Sequence, residues 1–200
     1  MLARREMLAS TAAVAAATWV TPSVVGLARA AAATPSNMTC ELPMASGGAV
    51  LLEPPPASIL EGVLESDTET YVFRETETAV MLTAPLVVNR VSPGNFNGQG
   101  PFEQVEIPTG TLICSYYVHG DRVNNKTTHY GEITFSSSVI AGLIYENPEF
   151  NASAFLEVPT TTYVNGGMSQ FDFMTLSSTS LSWSMTGSQT DSIRVITVCA

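Results

Sequence analysis

Ten short runs rich in Val, Ile, Thr, Tyr and Phe recur between clusters of Pro, Gly, Asn and Ser, from "AVLLE" and "TYVFRE" through "TLICSYYVH" and "YGEITF" to "SLSWSMT" and "SIRVITV". No stretch carries a convincing helical period. This punctuation describes strands and turns, and it restricts the chain to an all-β fold. Alternation is cleanest where Leu181, Trp183 and Met185 interleave with Ser182, Ser184 and Thr186, a strand with one buried and one wet face. Ten candidate strands in one domain predict an antiparallel two-sheet β-sandwich. "EPPPASILEG" reads as a stiff lead-in, "SPGNFNGQGP" as a long loop and "NASAFL" as one short helical turn.

The first thirty residues stand outside this pattern. Arg4 and Arg5 precede an alanine-rich, weakly apolar stretch, and Ala28-Arg29-Ala30 has the small-x-small form that signal peptidase cuts. The paired arginines before Met7-Leu8 resemble a twin-arginine export signal, with Met7 in place of the usual Phe. A retained membrane anchor is disfavoured because Thr18, Thr21, Pro22 and Ser23 interrupt the stretch and alanine contributes little transfer energy. The expected organisation is an export signal over 1–30, a lead-in over 31–48 and a single domain over 49–200. Localisation is then extracellular, with no membrane span after cleavage.

Cleavage after Ala30 removes three arginines and one glutamate, leaving five basic and 17 acidic residues and a charge of −12. An acidic surface repels phosphate backbones and anionic lipid, which disfavours nucleic-acid and membrane-surface roles. Five basic residues provide no patch to gather an anionic substrate. Outside the cytoplasm two of the three cysteines can pair. The expectation is Cys40 with Cys199, which would staple the ends of the domain for a gain on the order of 4–5 kcal/mol. Cys114, inside an apolar run, would then remain a buried thiol.

Chemistry is sought first in "SYYVHGDR", because the chain has only two histidines and one stands here beside an aspartate. If residues 111–119 and 129–136 form an antiparallel pair joined by the polar loop between them, His119 and His129 approach each other. With Asp121 they make a candidate zinc or copper site. The strand faces argue against it. Ile133 and Phe135 carry His129 to the apolar side, whereas Leu112, Cys114, Tyr116 and Val118 leave His119 on the other face of its strand. Tyr116 and Val118 are expected in the core, with Gly120-Asp121 opening a turn that Asp121 can fix by accepting from backbone donors.

Other constellations are weaker. There is no nucleophile elbow of the Gly-x-Ser-x-Gly type, and no strand–turn–helix unit to hold one. Glu65, Asp67, Glu69, Glu75 and Glu77 could supply paired carboxylates, but their close spacing reads as a solvated strand face. They also form no Asp-rich calcium loop. Sequons stand at Asn37, Asn125 and Asn151. No cofactor motif is present.

Taken in order, "SDTETYVFRET", "LTAPLVVNR", "IPTGTLICSYYVHGD", "GEITFSSSVIAGLIYEN" and "FDFMTLSSTSLSWSM" resemble a group of exported bacterial β-sandwich domains of unassigned function. In that group a Pro-x-Gly-Thr turn, here Pro108 to Thr111, leads into a Ser-Tyr-x-x-His-x-Asp strand, here Ser115 to Asp121. The domain closes on Asp-x-Ile-Arg-Val-Ile-Thr, here Asp191 to Thr197. The leader, with "WVTP" after its alanine run, is similar to those of small secreted proteins of high-GC Gram-positive bacteria. The resemblance covers residues 64–198 and implies a secreted or surface-associated domain without an assigned activity. Because Cys199-Ala200 carries no sorting motif, release or non-covalent attachment to the envelope is expected.

Two functional expectations follow. The first is a non-catalytic binding or structural module, whose loops 92–102, 120–128 and 159–168 would meet a cell-envelope polymer or an extracellular protein. The second is a small metal-binding protein or metal-assisted hydrolase using His119, Asp121 and His129.

Overall fold

A strand with apolar side chains on both faces must lie within a sheet covered on both sides, and a strand apolar on one face can border solvent. That distinction orders this fold. Residues 38–123, 127–164, 166–186 and 190–198 are described by the computed structural model. The export-signal residues Arg4, Arg5, Ala28 and Ala30, together with Cys199, lie outside them. The molecule is mostly β, with thirteen strands among the described residues.

One sheet has the order β10 (Val139–Ile144), β13 (Asp191–Val198), β8 (Leu112–Gly120), β3 (Thr70–Arg74) and β2 (Ala49–Leu52), with β4 (Val80–Met81) also along β8. Its pairs are antiparallel except β2 with β3, which run parallel. The other large sheet has the order β1 (Met44–Ser46), β9 (Thr128–Thr134), β12 (Ser180–Thr186), β11 (Phe173–Leu176) and β6 (Gly94–Asn97), antiparallel throughout. Strands β5 (Leu86–Val88) and β7 (Val105–Ile107) form a two-stranded ribbon. The helical content is the turn α1 (Glu149–Ala152) followed by a 3₁₀ turn over Ala154–Leu156, where the sequence places one.

Side chains of both large sheets form one buried cluster. Val72, Cys114, Tyr116, Val118, Ile193 and Val195 from the six-stranded sheet meet Ile133, Met174, Leu181, Trp183 and Met185 from the five-stranded one. A second cluster lies on the opposite face of the six-stranded sheet. There Phe73, Ile113, Tyr117 and Ile196 are covered by Leu86, Val88 and Ile107 of the ribbon and by Phe150 and Leu156 of the helical turns. The alternation read from β8 is therefore correct, with Tyr116 and Val118 on one face and Tyr117 and His119 on the other. Both faces are interior.

The pairing read for that strand is not. β8 lies between β13 and β3, whereas β9 lies between β1 and β12 in the other sheet. With Ile113 and Tyr117 on one face and Cys114, Tyr116 and Val118 on the other, β8 needs cover on both sides. β9 buries only His129, Gly131 and Ile133, and leaves Tyr130 exposed. β8 and β9 thus belong to different sheets and form no hairpin with each other.

The disulfide also differs from expectation. Cys40 is bonded to Cys114, 74 residues away, which excludes the Cys40–Cys199 bond. Residues 38–40 run beside 77–79, through Cys40 N–H to the Glu77 carbonyl and Ala79 N–H to the Met38 carbonyl, and this brings Cys40 over the inward face of β8. A buried cystine is itself an apolar packing unit, so an apolar run around Cys114 does not distinguish thiol from disulfide.

Candidate functional site

His119 is wholly buried, in register between Tyr71 of β3 and Ser192 of β13. Burial lowers its pKa to about 4, with the Asp121 charge opposing the shift, so the imidazole is neutral at pH 7. Asp121 is anchored rather than open. Its Oδ2 accepts from the Gly62 N–H at 2.6 Å, and its backbone carbonyl accepts from Ser66 N–H at 2.9 Å. The expected acceptor role is present, though the donor at the carboxylate is a distant segment instead of Asp121's own turn.

His129 belongs to the other side of β8. It is paired in register with Met185, and a side chain added at Gly120 would stand 3.6 Å from its Nδ1. Burial, and then the charge of Arg122, lower its pKa. The three residues of the candidate metal site are thus divided between opposite faces of one strand. Among the described residues no three His, Cys, Asp or Glu side chains are arranged to hold a metal ion.

Two buried charged clusters were not visible in the sequence. Arg194 of β13, 0% exposed, donates from Nε and Nη2 to Glu75 at 2.7 and 2.8 Å and from Nη1 to Ser153 Oγ at 2.5 Å. The rings of Tyr117, Phe150 and Tyr163 surround its guanidinium at 5.5 to 5.9 Å. Glu75, read as part of a solvated face, is instead buried, while Glu65, Glu69 and Glu77 are exposed as expected. The second cluster joins the ends of β8, β12 and β13. Arg122 Nη2 donates to Asp191 Oδ2 at 2.5 Å, and Asp172 accepts from the N–H groups of Ser169 and Thr186, each at 2.5 Å. Burial, followed by the charge of Asp172, pushes the Asp191 carboxyl up to about 8 against the pull of Arg122. None of these five side chains belongs to a residue more than 8% exposed, so both clusters hold the fold together and meet no dissolved ligand.

Accessible features are found elsewhere, on the outward face of the five-stranded sheet. Pleating turns Tyr130, Ser184, Phe173 and Asn97 outward along one register line across β9, β12, β11 and β6. The next line on that face is Ser46, Glu132, Ser182, Thr175 and Asn95. Tyr130 is 60% exposed and Phe173 59%, unusual for aromatic rings in the middle of a sheet face. With strands about 4.8 Å apart, two strand spacings put the rings about 10 Å apart. Between them Ser182 and Ser184 floor a groove of about 330 Å³ that Tyr130, Glu132, Phe173 and Thr175 also line. Beyond Phe173 a second concavity of about 490 Å³ is bounded by Asn95, Phe96, Asn97, Gly100, Pro101 and Arg90. Trp183, at 4% exposure, supports the floor from within, its indole N–H donating to Thr70 Oγ1 at 3.1 Å.

No protein-family model, curated protein or solved structure matches this chain. β6 forms within the expected loop 92–102 and brings Asn95 and Asn97 to the edge of this face. The central residues of the face were missed. The available signal was "FDFMTL", where Phe173 falls at the wet positions opposite Met174 and Leu176.

Proposed function

We propose that this chain is an exported, non-catalytic binding module, built as a two-sheet β-sandwich, that presents the outward face of its five-stranded sheet to a cell-envelope polymer or an extracellular protein. The observation that carries the proposal is the pair of exposed rings, Tyr130 and Phe173, aligned over a floor of hydroxyl groups. Exposed aromatic surface is costly in water, and a groove with a few fixed polar groups is how a protein holds a ligand. The export-signal reading of residues 1–30, the resemblance to exported domains and a disulfide suited to an oxidising compartment support the location. Against catalysis stands the burial of His119, His129, Asp172 and Asp191, which leaves the open groove with hydroxyls and one carboxylate, Glu132.

The test is co-sedimentation of the secreted chain with the producing organism's envelopes, with and without EDTA. Saturable binding that survives EDTA and weakens in Tyr130→Ala is the expected result. Binding that needs a divalent ion, or that the variant leaves intact, would refute the assignment.

A further inference from the structure

We infer that the ligand of this face is a neutral polysaccharide, laid across the strands so that alternate sugar rings stack on Tyr130 and Phe173; the inference rests on the binding-module reading above. A pyranose is amphipathic in a particular way, with a C–H face that packs on an aromatic ring and an equatorial rim of hydroxyls that needs hydrogen-bond partners. Both requirements are met in alternating order here. The two rings lie on one register line with Ser184 between them, about 10 Å apart by strand spacing. This is the separation of every second sugar in an extended, equatorially linked glycan.

The neighbouring line supplies the partners. Glu132, Ser182, Thr175 and Asn95 follow one another across four strands, and Thr175 Oγ1 already donates to Asn95 Oδ1 at 2.8 Å, which orients that side-chain pair. Short hydroxyl and amide side chains on a sheet lose little conformational freedom when they bind, so weak individual contacts can add.

Charge decides against an acidic glycan. The mature chain carries −12, and Glu132 lies in the groove itself. At the far end Arg90 is engaged, its guanidinium 4.7 Å from the Phe96 ring centre, donating to the Ser92 carbonyl and facing Glu103 at 3.5 Å. A protein partner is disfavoured by the same pattern. Protein interfaces centre on contiguous, dry apolar contacts, whereas here a strip of serines separates the two rings.

The experiment is affinity electrophoresis of the intact secreted chain through gels containing a neutral β-1,4-glucan, a β-1,3-glucan, a galactomannan or an arabinogalactan. Alginate serves as the polyanion, and envelope co-sedimentation is run in parallel. Retardation by at least one neutral polymer and not by alginate is expected. Tyr130→Ala and Phe173→Ala should each weaken it about tenfold, and Tyr130→Phe should retain it. Unchanged near-ultraviolet circular dichroism of the variants separates ligand loss from misfolding.

Retardation only by alginate would overturn the neutral-glycan assignment. So would envelope binding that depends on Tyr130 but is abolished by protease treatment of the envelopes, an outcome that leaves the binding module standing with a protein ligand. Equal retardation of Tyr130→Ala, Phe173→Ala and the parent chain would overturn the site. If the chain binds neither envelopes nor any polymer, both readings fall.

Discussion

Arg194 and Glu75 offer the sharpest test of how this fold is held. The guanidinium is central on the outer face of the six-stranded sheet and 0% exposed. Five oxygen atoms of four polar groups and three rings satisfy it, if the Phe150 carbonyl at 3.4 Å and Glu157 at 3.5 Å are included. Glu75 in turn accepts from Ser115 Oγ at 2.5 Å, so the pair ties β3, β8 and β13 to the helical turns. Burial favours loss of the Arg194 charge, but the Glu75 carboxylate more than offsets this and raises the pKa. Glu75→Gln would leave that charge only the more distant Glu157 carboxylate and should cost about 3–5 kcal/mol, and Arg194→Met should cost about as much by stranding Glu75. The double variant strands neither charge. Its cost should therefore be well below the sum of the two, with a coupling of about 2–3 kcal/mol. Urea unfolding followed by fluorescence is suited to the measurement, because Trp183 is the sole tryptophan besides Trp19 and lies in the buried cluster. Additivity within about 0.5 kcal/mol, or single-variant losses below about 1 kcal/mol, would refute the account.

Three further outcomes are expected. Replacing Cys40 and Cys114 together by Ala should lower stability by about 4 kcal/mol on the chain-entropy estimate for a bond spanning 74 residues, while Cys199→Ala should change it little; peptide mapping without reduction checks the bond directly. Stability should rise as pH falls from about 8.5 to 6.5, by up to about 2 kcal/mol, since the folded Asp191 holds its proton up to about 8 and the unfolded one releases it near 3.8. Below pH 6.5 the rise should flatten, because His119 stays neutral to about 4 when folded and protonates near 6.5 when unfolded, and so loses per pH unit about what Asp191 gains; Asp191→Asn should abolish the upper limb in a pH series of urea midpoints. Gly131→Ala would set a methyl group 2.4 Å from the Trp183 ring and should cost about 1–3 kcal/mol with a shifted emission maximum, and unchanged emission and stability would contradict that packing.

Much of the fold was legible because alternation along a strand is a local property. The wet and dry faces of β12, the two faces of β8 and the helical turn near Asn151 follow from side-chain order alone. The short strands β1, β6 and β7 were not legible. Each is three or four residues long and held by pairing with β9, β11 or β5, so its own composition says little. Glu75 read as surface because its neighbours Glu69 and Glu77 are surface; only the arrival of Arg194, 119 residues away, makes its burial tolerable.

The candidate site divides along the same line. That His119 and His129 occupy different faces was decided by parity in the sequence, and the structure keeps them apart by a different route, with β8 and β9 in separate sheets. By itself the sequence determined an all-β chain, the inward or outward sense of most strand positions and an acidic surface, since each depends on residue type and a period of two. Only the tertiary structure decided that β8 pairs with β13, that Cys40 reaches Cys114, and that Tyr130 and Phe173 fall on one line across an open face. Those relations join residues tens of positions apart. They depend on which strands become neighbours when two sheets close on a common core, and side-chain alternation within one strand carries no information about its neighbour.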